Sequence, residues 1–151
     1  MPARRRSRQR ALQILFEWDS RKLPVADCVF DYYDSLHSGE DEADTEPPSP
    51  AADPFLESLA KGTAAHVEEL DQLITQRAEN WRLDRMPLVD RNILRMAIYE
   101  MKYEGTPPAV VIDESLELAR RYSDEEAVPF INGVLDAVRK LIFPESLSQG
   151  V

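Results

Sequence analysis

The chain has 151 residues, of which 43% are hydrophobic and 30% charged, and it carries a formal net charge of −10. That length and composition suit one packed domain and exclude a disordered or fibrous chain. No apolar run approaches the roughly 18–20 residues of a membrane span, which points to the cytoplasm, and the single cysteine, Cys28, excludes an internal disulfide and a cysteine-based zinc site.

The opening stretch MPARRRSRQR holds five arginines and no acid, which leaves 13 bases against 28 acids, a formal −15, on the rest of the chain. An acidic body repels a polyanion at long range, but a compact basic arm still binds one at contact distance, within a Debye length of about 8 Å. From Arg10, RALQILFEWDSRK repeats Ala11, Leu12, Leu15, Phe16 and Trp18 at helical intervals without proline or glycine. The arginines therefore form the first turns of this helix or an arm leading into it. Pro24 restarts the chain, and VADCVFDYYDSL offers Val25, Val29, Phe30, Tyr33 and Leu36 as a second apolar stripe, with Cys28 read as a small buried hydrophobe.

Residues 37–54, HSGEDEADTEPPSPAADP, put five acids between Glu40 and Glu46 ahead of four prolines, a composition that predicts a mobile acidic loop. Asp53 then serves as an N-cap before Pro54 for the longest predicted helix, which runs through Phe55, Leu59, Val67, Leu70, Leu73 and Ile74 and bends near Gly62. After the turn RLDRM, the segment from Pro87 carries Leu88, Ile93, Leu94, Ala97, Ile98 and Met101 on one face and stops at Gly105. A further helix starts at Thr106 and its prolines, burying Val111, Ile112, Leu116 and Ala119. Ser123 to Glu126 have the spacing of a capping box, and FINGVLDAVRKLIF closes the chain with Phe130, Ile131, Val134, Leu135, Val138, Leu141 and Ile142 inward. No alternating strand competes, so the predicted fold is all-α, with about six or seven helices.

The signatures of common enzymes are missing. His37 and His66, the two histidines, sit in no metal-binding spacing, and Asp113 and Glu114, adjacent on a helix, point in different directions rather than across a cleft. There is no phosphate-binding loop, dinucleotide fingerprint or nucleophile elbow. No cofactor is expected. The arginines Arg4, Arg5, Arg6 and Arg8 suit bidentate phosphate contacts and stacking on splayed bases, as single-stranded RNA requires. Phe16, further along the same helix, is either core or a stacking platform.

The stretches ARRRSRQRALQILFEWD, DRNILRMAIYEM, PPAVVIDESLELARRYS and FINGVLDAVRKL, in that order, resemble the NusB family of transcription antitermination factors over most of residues 3–142. The proline-rich acidic segment at 37–54 departs from that pattern. The resemblance implies a compact bundle of two subbundles, residues 1–151 as a single helical RNA-binding domain without catalytic activity. It implies binding to boxA-type single-stranded RNA of ribosomal RNA leaders together with the ribosomal protein NusE, in a complex on RNA polymerase that suppresses premature termination and assists ribosomal RNA maturation. Carried over by motif, Arg4, Arg5, Arg6, Arg8 and Phe16 contact RNA, and Asp90, Glu126 and Phe130 lie at or near the NusE surface. Each of these last three also has a structural reading, Asp90 and Glu126 as helix caps and Phe130 as core. Asn132 and Gly133 match the family pattern as structural residues, the glycine allowing close helix packing.

Two further readings accompany that resemblance. Related domains occur as accessories of ribosomal RNA cytosine methyltransferases, against which stands the lack of a cofactor-binding half in this sequence, and some family members form homodimers that bury the RNA surface. The acidic segment, about 23 Å across as a flexible coil of its length, is expected to reach the arginine arm as an internal RNA mimic.

Overall fold

The computed structural model describes residues 2–38, 52–78 and 81–144, and all regular structure among them is helical. The chain divides into two compact units, residues 1–64 and 65–151, in keeping with two helical subbundles. The acidic segment 37–54, and with it the internal RNA mimic, lies almost entirely outside the described residues.

In the first unit, α1 (Pro2–Arg21), α2 (Val25–Ser38) and α3 (Pro54–Ala65) form the bundle. The uninterrupted segment from Ala3 to Lys22 lets α1 run from Pro2, so the arginine arm is itself helical. Its buried stripe comprises Arg8, Ala11, Leu12, Leu15 and their neighbours Ser7, Ile14 and Asp19. The helix ends where Lys22 takes a left-handed backbone, φ 58°, its N–H donating to the Trp18 carbonyl at 3.0 Å. Helix α2 buries Cys28 and Val29, and α3 buries Leu56, Leu59, Ala60 and Thr63. Phe30, predicted inward, is instead 67% exposed, one position beyond the stripe that Cys28 and Val29 occupy.

Asp53 joins these three helices. Its Oδ1 accepts the Leu56 N–H at 3.1 Å as the predicted N-cap, its second carboxylate oxygen accepts the Ser7 hydroxyl of α1, and its own N–H donates to the Tyr33 hydroxyl of α2 at 2.8 Å. Tyr33 completes the chain by donating to Glu57 at 3.1 Å.

The second unit packs around α5 (Leu88–Tyr99), which contacts α4 (Val67–Arg77), α6 (Pro108–Tyr122) and α7 (Ala127–Ile142). Every residue from Asn92 to Tyr99 is buried, as expected of a helix covered on all sides. Its polar groups are paired: Arg95 donates to both Asp71 carboxylate oxygens at 2.7 and 2.9 Å and to Asn92 Oδ1 at 3.1 Å, while Asn92 Nδ2 donates to the Leu88 carbonyl at 2.9 Å. A π-helical turn, Glu100–Glu104, follows α5 and ends at Gly105, whose φ of 72° is the left-handed cap the sequence predicts.

Other expectations from the sequence are corrected in this unit and at its entry. The long helix predicted from Pro54 is two helices, and the break falls at His66, not Gly62; one helical glycine costs only about 1 kcal/mol, whereas the His66 ring is held against Tyr103 and Tyr99, with centroids 4.4 and 5.7 Å away. The capping box does not form, because the Ser123 hydroxyl donates to Asp90 at 2.6 Å and Asp124 Oδ1 accepts the Ala127 N–H at 2.9 Å in its place. Gly133 has open space where a Cβ would stand, so close packing does not require it. Leu141, predicted inward, is 36% exposed near the end of α7.

Removing the Asp53 side chain unties α1 from α3 and uncaps α3. Asp53→Ala is expected to lose about 1–2 kcal/mol, as N-cap truncations do, with Asp53→Asn between it and the parent because the amide keeps the cap oxygen. Urea denaturation checks this order, and a loss for alanine below about 0.5 kcal/mol would show that Asp53 joins nothing.

Candidate functional site

Helical geometry sorts the basic arm into faces. Arg5 and Phe16 are eleven positions apart, close to three turns, so they share one face roughly 16 Å apart along the axis. Arg5, Gln13, Phe16 and Ser20 are all exposed on that face, and Arg4 is exposed beside it, with Arg6 half-buried. Phe16, 41% exposed, thus resolves toward the surface rather than the core. Arg8 stands apart at 6% exposure. Its guanidinium lies 5.3 Å from the Phe55 ring centroid, and that of Arg4 lies 4.3 Å from the same ring. Phe55 therefore acts as an aromatic seat for two arginines, each cation drawn to the ring's negative face. The sequence offers a faint signal for this seat, an aromatic at the second position of a helix that follows the acidic segment.

In the second unit, Asp90, Glu126 and Phe130 belong to one neighbourhood. Asp90 sits in the first turn of α5, 6% exposed, and its carboxylate accepts the hydroxyl of Ser123, the residue that follows α6. Three residues on, exposed Glu126 opens α7, and Phe130 lies one turn further on the same face. Neither acid is a cap: no side-chain capping bond is made by Glu126, and Pro87 precedes α5 without one. The Phe130 ring, half-buried, packs against Trp81, with centroids 5.0 Å apart and planes inclined at 51°. Trp81 is 55% exposed and was missed by sequence reasoning, although a tryptophan in the polar run ENWRLDR, between helices, is a readable signal.

Burial pushes the Asp90 carboxyl above its ordinary value, reinforced by the nearby Asp124, against the opposing Ser123 hydrogen bond. His66 contributes to ring packing, and no group of three or more potential metal ligands occurs among the described residues.

An all-helical chain in two units, with an arginine-faced first helix and an aromatic surface edged by acids, has the architecture of a helical binding protein. The chain belongs to the NusB family, whose model matches residues 5–140. It is 58% identical over 140 residues to the transcription antitermination protein NusB of Solibacter usitatus, covering 93% of this chain and 90% of that protein. Against the NusB of Streptomyces coelicolor it is 44% identical over 142 residues, covering 93% and 95%. Among solved structures it resembles a chain of the crystal structure of antitermination factors NusB and NusE in complex with dsRNA, at 26% identity and TM-score 0.74 over 93% of this chain and 98% of that one. It is also similar to T. maritima NusB, at 30% identity and TM-score 0.71 over 96% of each. NusB is an RNA-binding transcription antitermination factor and not an enzyme, in agreement with the missing catalytic signatures.

The raised Asp90 carboxyl carries a sign that can be measured. The folded state takes up this proton at higher pH than the unfolded chain, so burying the charge costs stability at neutral pH and the cost fades as the pH falls toward the ordinary aspartate value of about 3.9. Asp90→Asn keeps an oxygen to accept the Ser123 hydroxyl and is expected to melt higher than the parent at pH 7, with the difference shrinking on acidification. Asp136, held low by Arg139 and Lys140, titrates alike in both proteins and cancels. Parallel thermal melts from pH 7 to 4 test this; a lower Tm for the variant at pH 7 would mean that the charge itself stabilises the fold.

Proposed function

We propose that this protein is a cytoplasmic transcription antitermination factor that binds boxA-type single-stranded RNA of ribosomal RNA leaders as a heterodimer with NusE. The pair joins the antitermination complex on RNA polymerase, suppresses premature termination and assists ribosomal RNA maturation. Family membership carries the antitermination part of this reading, and no helix among the described residues is long and apolar enough to cross a membrane. The observation that supports RNA binding is the outward face of α1, with Arg5 and Phe16 aligned and Arg4 and Arg6 beside them. Guanidinium groups grip phosphates in pairs of hydrogen bonds, and an exposed ring three turns away supplies a stacking surface. Arg4 and Arg8 both rest on Phe55 and hold the arm in place; Arg8 is buried there, while Arg4, which stays exposed, joins Arg5 and Arg6 in meeting the phosphates. Glu126 and Phe130 define the surface offered to NusE, and Asp90, buried near it, shapes that surface through Ser123.

If three phosphates are contacted, the log-log slope of RNA affinity against salt is about −2.1, at roughly −0.7 per contact for a single strand. A fluorescence titration of boxA-type RNA, with and without NusE, is expected to give that slope, with tighter binding when NusE is present. Arg5→Ala/Arg6→Ala should make the slope shallower by about two contacts, and Phe16→Ala should weaken binding without changing it. Binding that ignores the arginines, or that prefers duplex to single-stranded RNA, would refute this assignment of the α1 face.

A further inference from the structure

The aromatic pair of Trp81 and Phe130 is more than the partner surface read from sequence, and its role rests on the proposed binding of NusE. Trp81 is over half exposed, an unusual state for the side chain with the most apolar area to bury. Its ring nevertheless has a support. The Phe130 ring supports it from α7, and the chain behind it is pinned by the 3₁₀ turn Leu83–Arg85, whose Leu83 carbonyl accepts the Arg91 guanidinium at 3.3 Å. A tryptophan supported on one side by a second ring has less freedom to lose on binding than one standing alone in solvent, which favours its use as an aromatic anchor of a protein interface.

Its surroundings narrow the occupant. Asp124, Glu125 and Glu126 are three consecutive exposed acids ahead of α7, and Glu126 shares a helix face with Phe130. A polyanion brought against Phe130 would meet this acidic edge, whereas a basic protein surface would be drawn to it.

We infer that Trp81, packed at a tilt against Phe130 on the helix that Glu125 and Glu126 precede, is the central anchor of the protein-docking surface, and that it takes a basic protein segment presenting an apolar side chain or an arginine plane to the indole. Apolar burial at Trp81 sets the lifetime of the complex, and the acids set its rate of formation.

The experiment uses the full chain and purified NusE. In a Trp18→Phe background, Trp81 is the remaining tryptophan, and its emission should shift to the blue when NusE binds. Trp81→Ala should weaken NusE binding at least tenfold, mainly through faster dissociation, while Trp81→Phe stays within about threefold. Glu125→Gln/Glu126→Gln, which leaves the Asp124 cap intact, should slow association and flatten its salt dependence. Circular dichroism melts establish that each variant is folded. Wild-type affinity in Trp81→Ala alongside a loss in Phe130→Ala would overturn the anchor and leave the proposed function standing. A Trp81 response to boxA-type RNA alone, with none to NusE, would make this surface an RNA platform and overturn the inference. No complex between the wild-type chain and NusE would remove the proposed heterodimer together with the anchor.

Discussion

A helix with no side facing water has to satisfy internally every polar group it carries, and α5 imposes that constraint on the second unit. Arg95 is inside it at 6% exposure, and an unpaired guanidinium there would cost several kcal/mol. Asp71 on α4 supplies the bidentate carboxylate and Asn92 a third acceptor, so the packing of α4 on α5 is fixed in register as well as in apolar contact. At the start of the same helix, Asp90 imposes a similar demand on the chain after α6. Ser123 answers it, and once its hydroxyl is committed there, the capping of α7 passes to Asp124. The Asp124 cap at the start of α7 is thus tied to how α5 is buried, because the same few residues end α6, satisfy Asp90 and begin α7.

The first unit solves a different problem. Arginines repel one another, yet five occupy the first turns of α1. The helix separates them into faces, and Phe55 offers its ring to the two that reach it, Arg4 and Arg8. Asp53 next to it accepts Ser7 from between those arginines. The start of α3 therefore acts as both apolar seat and hydrogen-bond anchor for the basic arm, which explains how a segment of such charge density is helical from its second residue.

Much of this was legible in the sequence for physical reasons. Apolar residues at three- and four-residue spacing located the α-helical segments, the Asp53–Pro54 pair marked the start of α3, and Gly105 marked a left-handed stop, because each of these is decided by neighbours in the chain. The failures have the opposite character. Periodicity placed Phe30 and Leu141 inside, since a pattern reports an apolar stripe and not its limits. Ser123 to Glu126 fit a local capping rule, but a buried carboxylate 33 positions earlier competed for the serine. The break at His66 likewise depends on rings carried by the end of α5 and the π-helical turn beyond it, which no local pattern contains.

The same distinction separates the candidate site residues. Arg5 and Phe16 were legible as residues of one helix, and once that helix is seen to run unbroken, helical geometry alone aligns them on one face. Arg8 looked equivalent to its neighbours in sequence, and only the tertiary fold, by turning its part of α1 onto α3, removed it from the surface. Asp90 and Glu126 were each open to a capping role by spacing; in the fold neither caps, which leaves a buried acid raised in pKa and an exposed acid beside an aromatic pair. Neither acid is explained by capping, and the half-exposed tryptophan is not explained by core packing, so stability alone does not account for these three side chains. Both features run against stability: a large apolar ring left in water forgoes burial, and a carboxyl taken out of water loses hydration, here offset in part by the Ser123 hydroxyl.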